Sequence, residues 1–392
     1  MRKLSPEFRL AAACCRWPPS AERDQQVRDR SRQIDWFRLL RIAQRQRVEG
    51  LVSDALRRAG VAHPASVAGA LESASKEIAR QNLLFAVESR RLDQLLTQAG
   101  VPHLFLKGAT LDTLAYGSLA LKRGRDIDIL VEPQAALRAS ELLAGGGYRR
   151  IIPGPEIGPE RFEQWVALCK ESSWRHATSG LIVELHTGLV DNPHLLGGIG
   201  LESSQQIVPV APGIDLPTLG AEELYAYLCV HGATHAWSRL KWISDVGAFL
   251  ARPGTDIERL HANCERIGAG RASAQALLLC AHLFGTVLPT ELKQRLESDR
   301  VSRWLADIAL GTMAGRYAAT ELDDTVLGTL SIHLSHFALG RGWRFKAREL
   351  SSKLNNRDDR MQYALPRPLH FLYPVISLPS WVRRRMQGAG RP

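Results

Sequence analysis

Three things are scarce in this 392-residue sequence: paired cysteines, long apolar runs and, towards its end, acids. Its six cysteines (Cys14, Cys15, Cys169, Cys229, Cys264 and Cys280) form no CxxC pair and no framework spacing, which argues against a zinc ribbon and against a disulfide scaffold. Reduced thiols in a cytoplasmic protein are the expectation. No apolar run approaches the roughly 20 residues of a membrane span. The stretch from Ala11 to Cys15 is too short for a signal peptide and soon meets Arg16 and Pro18. Acids number 40 against 51 lysines and arginines, a net charge of +11. From Arg341 onward twelve basic residues face three acidic ones, which is +9 of that total. Such an excess suits nucleic acid, an anionic membrane or a polyphosphate substrate and does not choose among them.

What is present is otherwise ordinary. A chain of this length suits two or three domains of about 100–200 residues. An apolar fraction of 45% with 23% charged residues predicts a sizeable core. One stretch stands apart, His103 to Pro133, HLFLKGATLDTLAYGSLALKRGRDIDILVEP.

At its centre Asp126 and Asp128 alternate with Ile127 and Ile129. A period of two is what a β-strand imposes, so both carboxylates project from one face. Two like charges so close raise each other's pKa unless a cation lies between them or water solvates both. One reading is an exposed edge strand with two solvated aspartates. The other is a cradle for Mg²⁺, which takes oxygen ligands at roughly 2.1 Å and usually uses one or two carboxylates plus substrate phosphates. The flanks favour the cradle. His103 to Leu106 is a short apolar strand that ends in Lys107-Gly108, after which Leu111, Leu114 and Ala115 follow helical spacing. A strand, a glycine turn and a helix N-terminus offer free backbone N–H groups, and Lys107 adds a charge: a site for phosphate.

Lys107-Gly108 followed by Arg123-Gly124-Arg125-Asp126-Ile127-Asp128-Ile129-Leu130-Val131 resembles the uncharacterised nucleotidyltransferase branch of the DNA polymerase beta-like nucleotidyltransferase superfamily. There a glycine turn precedes a DxD strand and a third carboxylate comes from a later strand. In this sequence Ala109 and Thr110 follow the turn where most of the superfamily has a serine. The resemblance implies an α+β, helix-rich fold, a small mixed-sheet nucleotidyltransferase core at 101–219. An N-terminal helical region at 1–100 and a C-terminal helical domain at 220–340 flank it, and a basic tail fills 341–392. It implies transfer of a nucleoside monophosphate from an NTP donor to an acceptor hydroxyl, with two Mg²⁺ ions, or Mn²⁺ as the alternative, held by Asp126, Asp128 and the third acid. Glu184, isolated in the apolar run Leu181 to Leu185, matches that third acid, and His186 shares its strand parity. Lys107, Gly108, Arg123 and Arg125 would hold the nucleotide, although Arg125 has parity opposite to Asp126.

The rest of the chain frames this unit. Residues 1–100 carry helical spacing, with Gly60 and Gly100 as stops. Pro133 opens a helix that Gly145-Gly146-Gly147 closes. Trp174 to Ala177, the turn Thr178-Ser179-Gly180 and Leu181 to Leu185 predict a hairpin with Glu184 on an inner strand. Residues 188–219, rich in Gly and Pro, read as a connection over the surface, with Thr218 as cap of the next helix. That helix is expected to run on through His231 and His235, which lie four apart on one face but lack the third ligand and general base of a zinc site. The block His231 to Asp245 again resembles the family. The resemblance implies that His235, Arg239, Lys241 and Asp245, with His186, face the nucleotide or acceptor. The competing reading is a buried helix whose Asp245 pairs with a neighbour. At the end, Leu369 to Trp381 beside Arg383-Arg384-Arg385 suits a peripheral contact with an anionic membrane or docking on a partner, and Pro374 and Pro379 deny it a continuous helix. The acceptor stays open among small molecule, peptide or protein, and RNA. The alternative function is a non-catalytic nucleotide-, RNA- or peptide-binding scaffold of the same fold.

Overall fold

The computed structural model describes residues 4–314 and 330–354 and positions 372, 373 and 375. The helices α1 (Pro6–Cys14), α2 (Ala21–Arg30), α3 (Trp36–Gln46), α4 (Glu49–Arg58) and α5 (Ala65–Gln98) come first. The α/β unit follows: β1 (His103–Phe105), α6 (Ala109–Tyr116), β2 (Ile127–Val131), α7 (Ala136–Gly145), β3 (Tyr148–Ile152), α8 (Pro159–Leu168), β4 (Glu171–His176) and β5 (Ile182–His186). Then come β6 (Gln205–Ala211), β7 (Ile214–Leu219) and the helices α9 (Ala221–Thr234), α10 (Leu240–Leu250), α11 (Ile257–Arg266), α12 (Gly270–Phe284), α13 (Thr290–Ser298), α14 (Arg300–Ala314), α15 (Leu330–Leu339) and α16 (Trp343–Leu354). This is the helix-rich α+β fold that was expected. The segment Leu369 to Trp381 and the arginines after it lie almost wholly outside the described residues. No helix among the described residues is long and apolar enough to cross a membrane.

The sheet has the order β1-β2-β5-β4-β3. β2 and β5 run parallel at its centre, and the other pairings are antiparallel. Every residue of β2 is buried, which explains its near-continuous apolar character. The register sets Asp128 directly beside Glu184. On the other side of β5, Glu171 of β4 lies beside His186.

Helix α5 carries the sheet on one face. Its buried positions Val67, Leu71, Ile78, Phe85, Leu92 and Leu96 keep the spacing of a helical stripe. Asn82 on that stripe does more than fill space. Its Nδ2 donates to the carbonyls of Leu119 and Lys122, each at 2.6 Å, and its Oδ1 accepts from the Gly124 amide at 3.0 Å. These bonds fasten the loop that leads into the two aspartates. A side chain at Gly124 would meet Asn82 Oδ1 at 2.7 Å, so the close approach needs glycine.

Two expectations require correction. Residues 205–219 are no surface connection: β6 and β7 pair with each other, and Val208, Val210, Ile214 and Leu216 join the core around Phe85 and Phe105. Pro209 and Pro217 obscured the strands, but a two-stranded ladder has free edges where a missing N–H is tolerated. Thr218 consequently sits in β7, and α9 starts at Gly220 without a side-chain cap. The second correction is at the end of α9. The helix does not run through His235 but stops at Thr234, and Ala236 and Trp237 take positive φ of 46° and 50°. The turn folds the fully buried Trp237 back over Gly232, where an added Cβ would stand 2.3 Å from the indole.

The N-terminal helices and the C-terminal helices share one apolar core, from Phe8 and Ile42 to Tyr225, Leu277 and Leu310. Gln46, completely buried at the end of α3, accepts from the Leu240 amide at 2.7 Å and donates to the Met313 carbonyl at 2.9 Å. It thereby ties α3 to the starts and ends of helices almost 200 and 270 residues away.

Candidate active site

Gly108 ends the strand β1 with φ +71° and ψ −127°, a conformation available to glycine and costly for other residues. It turns the chain into α6 and leaves Lys107 facing the amino end of β2. The Lys107 Nζ lies 2.7 Å from Asp128 Oδ1 and 3.8 Å from Asp126 Oδ1. The two like charges thus have the cation between them that their spacing demanded. Asp128 is 1% exposed and Asp126 is half-buried. Burial works against the Asp128 charge, but Lys107 and a hydrogen bond from His186 hold its carboxyl well below the usual carboxylate range. Burial likewise opposes the Lys107 charge, and Asp128 and Asp126 hold the ammonium well above the ordinary lysine value.

Glu184 reaches the same place from β5. Burial pushes its carboxyl up, the His186 contact opposes this, and Asp128 and Asp126 add to the rise. His186, also 1% exposed, stands with Nε2 at 3.0 Å from Asp128 Oδ1 and 3.7 Å from Glu184 Oε2, and with Nδ1 at 3.5 Å from Glu171 Oε2. One ligand atom each from Asp128, Glu184 and His186 falls within 4.8 Å of the others. Asp128 Oδ2 and His186 Nδ1 are buried without a hydrogen-bond partner. An orphaned buried oxygen beside convergent acids suits a divalent ion, because the unpaired atom is costly unless something ligates it. The donor set of Asp128, Glu184 and His186 therefore fits a divalent ion.

These groups border a cleft of about 510 Å³. Lys107, Arg125, Asp126, Glu184, His186, His235 and Lys241 all line it. Lys241 enters from the first turn of α10, where burial, with Lys122 and Lys107 adding, pulls its amine down to about 7. Among the described residues no acid lies within ion-pair reach of it. His231 and His235 stand 4.9 Å apart by ring centroid, and His235 stacks on Trp242 at the same separation. Burial drives His231 well below the ordinary histidine value and His235 down to about 4. Both imidazoles pack on the Trp242 indole and line the cleft.

Three anticipated residues are placed elsewhere. Arg123 lies 3.6 Å from Glu49, Arg239 donates to the Arg45 carbonyl, and neither lines the cleft. Asp245 is buried against Lys122 at 2.9 Å and accepts from the Tyr116 hydroxyl at 3.0 Å. It pairs with neighbours, as the competing reading had it.

A family model described as uncharacterised nucleotidyltransferase matches residues 32–285. The chain belongs to that family. No curated protein matches it. This nucleotidyltransferase nevertheless builds one wall of its cleft from beyond the matched span. His336, Phe345, Glu349 and Lys353 of α15 and α16 face the acids across the opening. Asn192 fixes that wall by donating to the Phe345 carbonyl and to Glu349, both at 3.2 Å, and His336 bonds the Thr234 carbonyl at 2.8 Å. No residue of α15 or α16 was picked from the sequence. Lys170 and Glu171 were also missed, although Glu171 could have been found as the residue across the predicted hairpin from His186.

Proposed function

We propose that this chain transfers a nucleoside monophosphate from an NTP to an acceptor hydroxyl, with divalent ions, Mg²⁺ being the expected one, held by Asp126, Asp128 and Glu184. The observation that carries the reading is the meeting of three acids from two parallel strands beside the Lys107-Gly108 turn, with one buried carboxylate oxygen unpartnered. A divalent ion bound there would neutralise the triphosphate and make its α-phosphorus a better electrophile. Lys107, the backbone after Gly108, Arg125 and the unpaired Lys241 hold the phosphates, so that the acceptor oxygen attacks opposite the pyrophosphate leaving group. Glu184, set beside Asp128 by the strand register, takes the hydroxyl proton as the new O–P bond forms and the bond to pyrophosphate breaks. The wall of α15 and α16 faces the acceptor.

The test is calorimetric titration with Mg²⁺ and each NTP, followed by mass spectrometry for pyrophosphate and for adducts across a panel of hydroxyl acceptors that includes RNA. Nucleotide-dependent pyrophosphate release that vanishes in Asp128→Asn supports the reading. Binding without pyrophosphate from any acceptor, or full turnover in that variant, removes it.

A further inference from the structure

We infer that His186 is itself an ion ligand, so that the centre is an Asp128, Glu184 and His186 site with a nitrogen donor, built for a first-row transition ion in preference to Mg²⁺. The inference deepens the proposed reading of the acids as ion ligands, and it concerns which donor atoms and which ion, not the transfer step.

Geometry supports it first. For an octahedral ion at roughly 2.1 Å from its ligands, neighbouring donor atoms stand about 3 Å apart. His186 Nε2 is 3.0 Å from Asp128 Oδ1 and 3.7 Å from Glu184 Oε2, and the three donors fit within 4.8 Å. The second support lies behind the ring. Ligating histidines almost always turn their other nitrogen to a carboxylate or carbonyl, which orients the ring and raises its basicity. Glu171 Oε2 lies 3.5 Å from Nδ1, its side chain is itself fixed by Lys170, and the β4–β5 register is what puts it there. With an ion bound, the Nε2 lone pair faces the metal and the single ring proton sits on Nδ1, towards Glu171. Asp128 Oδ2, buried without a hydrogen-bond partner, then has one, and Glu171 is the carboxylate that Nδ1 faces.

The choice of ion follows from donor chemistry. Mg²⁺ prefers oxygen alone, whereas imidazole raises affinity along the series from Mn²⁺ to Co²⁺. Lys107 and His186 share one oxygen of Asp128, so an incoming ion competes with an ammonium there, and a nitrogen ligand favours the ion that binds imidazole better.

The experiment loads the full chain with Mn²⁺ and with Co²⁺, with and without a non-hydrolysable NTP, and reads pulsed electron paramagnetic resonance for nitrogen coupling to Mn²⁺ together with calorimetric affinities for Mg²⁺, Mn²⁺ and Co²⁺. Expected are a directly coupled ¹⁴N that changes on ¹⁵N-histidine labelling and disappears in His186→Gln. The preference for Co²⁺ over Mg²⁺ should fall at least about tenfold in that variant, and Glu171→Gln should weaken Co²⁺ binding about 10–100-fold while keeping the nitrogen coupling. Should His186→Gln not fold, the labelled wild type beside His231→Gln and His235→Gln still assigns the nitrogen by elimination. Mn²⁺ bound without histidine-nitrogen coupling overturns the inference, as does the absence of Mn²⁺ and Co²⁺ binding at millimolar ion with or without the nucleotide. A nitrogen-coupled ion in a chain that releases no pyrophosphate would uphold this inference and sink the transfer reading, and transfer with an oxygen-only ion would do the reverse.

Discussion

Two clusters among the described residues consist of one lysine between two aspartates, and they differ in what surrounds them. In the first, Lys122 sits 2.7 Å from Asp112 and 2.9 Å from Asp245, and Tyr116 caps the latter. All three charged residues are at most 6% exposed. Burial, with Asp245 adding, pushes Asp112 up to about 6, against the pull of Lys122, while the two carboxylates hold Lys122 above its ordinary value. This cluster clamps α6 and the loop before β2 to α10, and nothing can enter it. In the second, Lys107 bridges Asp126 and Asp128, but the side faces a cleft, and a histidine and a third acid join. The same three residue types thus make a fastening where the surroundings close and a binding centre where they stay open.

Asp128→Asn should cause the largest change and set the contrast most sharply: turnover falls about 10³-fold or more, with native circular dichroism. Its loss of stability should be smaller than that of any variant in the closed cluster, because Lys107 can turn to Asp126 and to cleft water. Urea denaturation of the two variant types side by side checks this, and equal destabilisation would erase the distinction. Lys122→Met should cost about 3–5 kcal/mol, since it leaves two carboxylates buried without a cation, and the same urea curves measure it. In wild type the Asp112 contribution has a defined sign. Its folded pKa of about 6 exceeds the unfolded value, so its contribution to stability is fully present below about pH 4 and is lost as pH rises through 6.

Lys241 comes next. Its amine, lowered to about 7 in the folded protein, is charged below pH 7 and neutral above, and a bound triphosphate favours the charged form. NTP affinity should therefore weaken between pH 7 and 9 by up to about tenfold, and Lys241→Met should flatten that dependence in calorimetry at matched ionic strength. Arg125→Ala should do least, because the side chain is exposed at the rim: a KM a few-fold higher at unchanged kcat.

The open cluster was legible in the sequence because each of its residues carries a local mark. Strand parity puts Asp126 and Asp128 together, a glycine marks the turn that carries Lys107, and an acid isolated in an apolar run identifies Glu184. The closed cluster was visible only as a competing reading of Asp245, since that acid lies more than 100 residues beyond Asp112 and Lys122 and resembles any charge on a helix face. The hairpin of β6 and β7 was hidden because prolines weaken the strand signal that burial against Phe85 and Phe105 restores. The role of α15 and α16 as a cleft wall left no local mark.

Alternation, turn chemistry and periodicity are properties of neighbours along the chain, so the amino-acid order alone determined the strands that carry the acids, the Lys107 turn, the three acids themselves and the helical bulk around them. Which lysine–aspartate group closes and which stays open, where His186 and Glu171 meet and what walls the cleft depend on segments brought together from across the chain. Those were decided by packing in three dimensions, because burial and solvent access are set by the whole core and by no stretch of sequence within it.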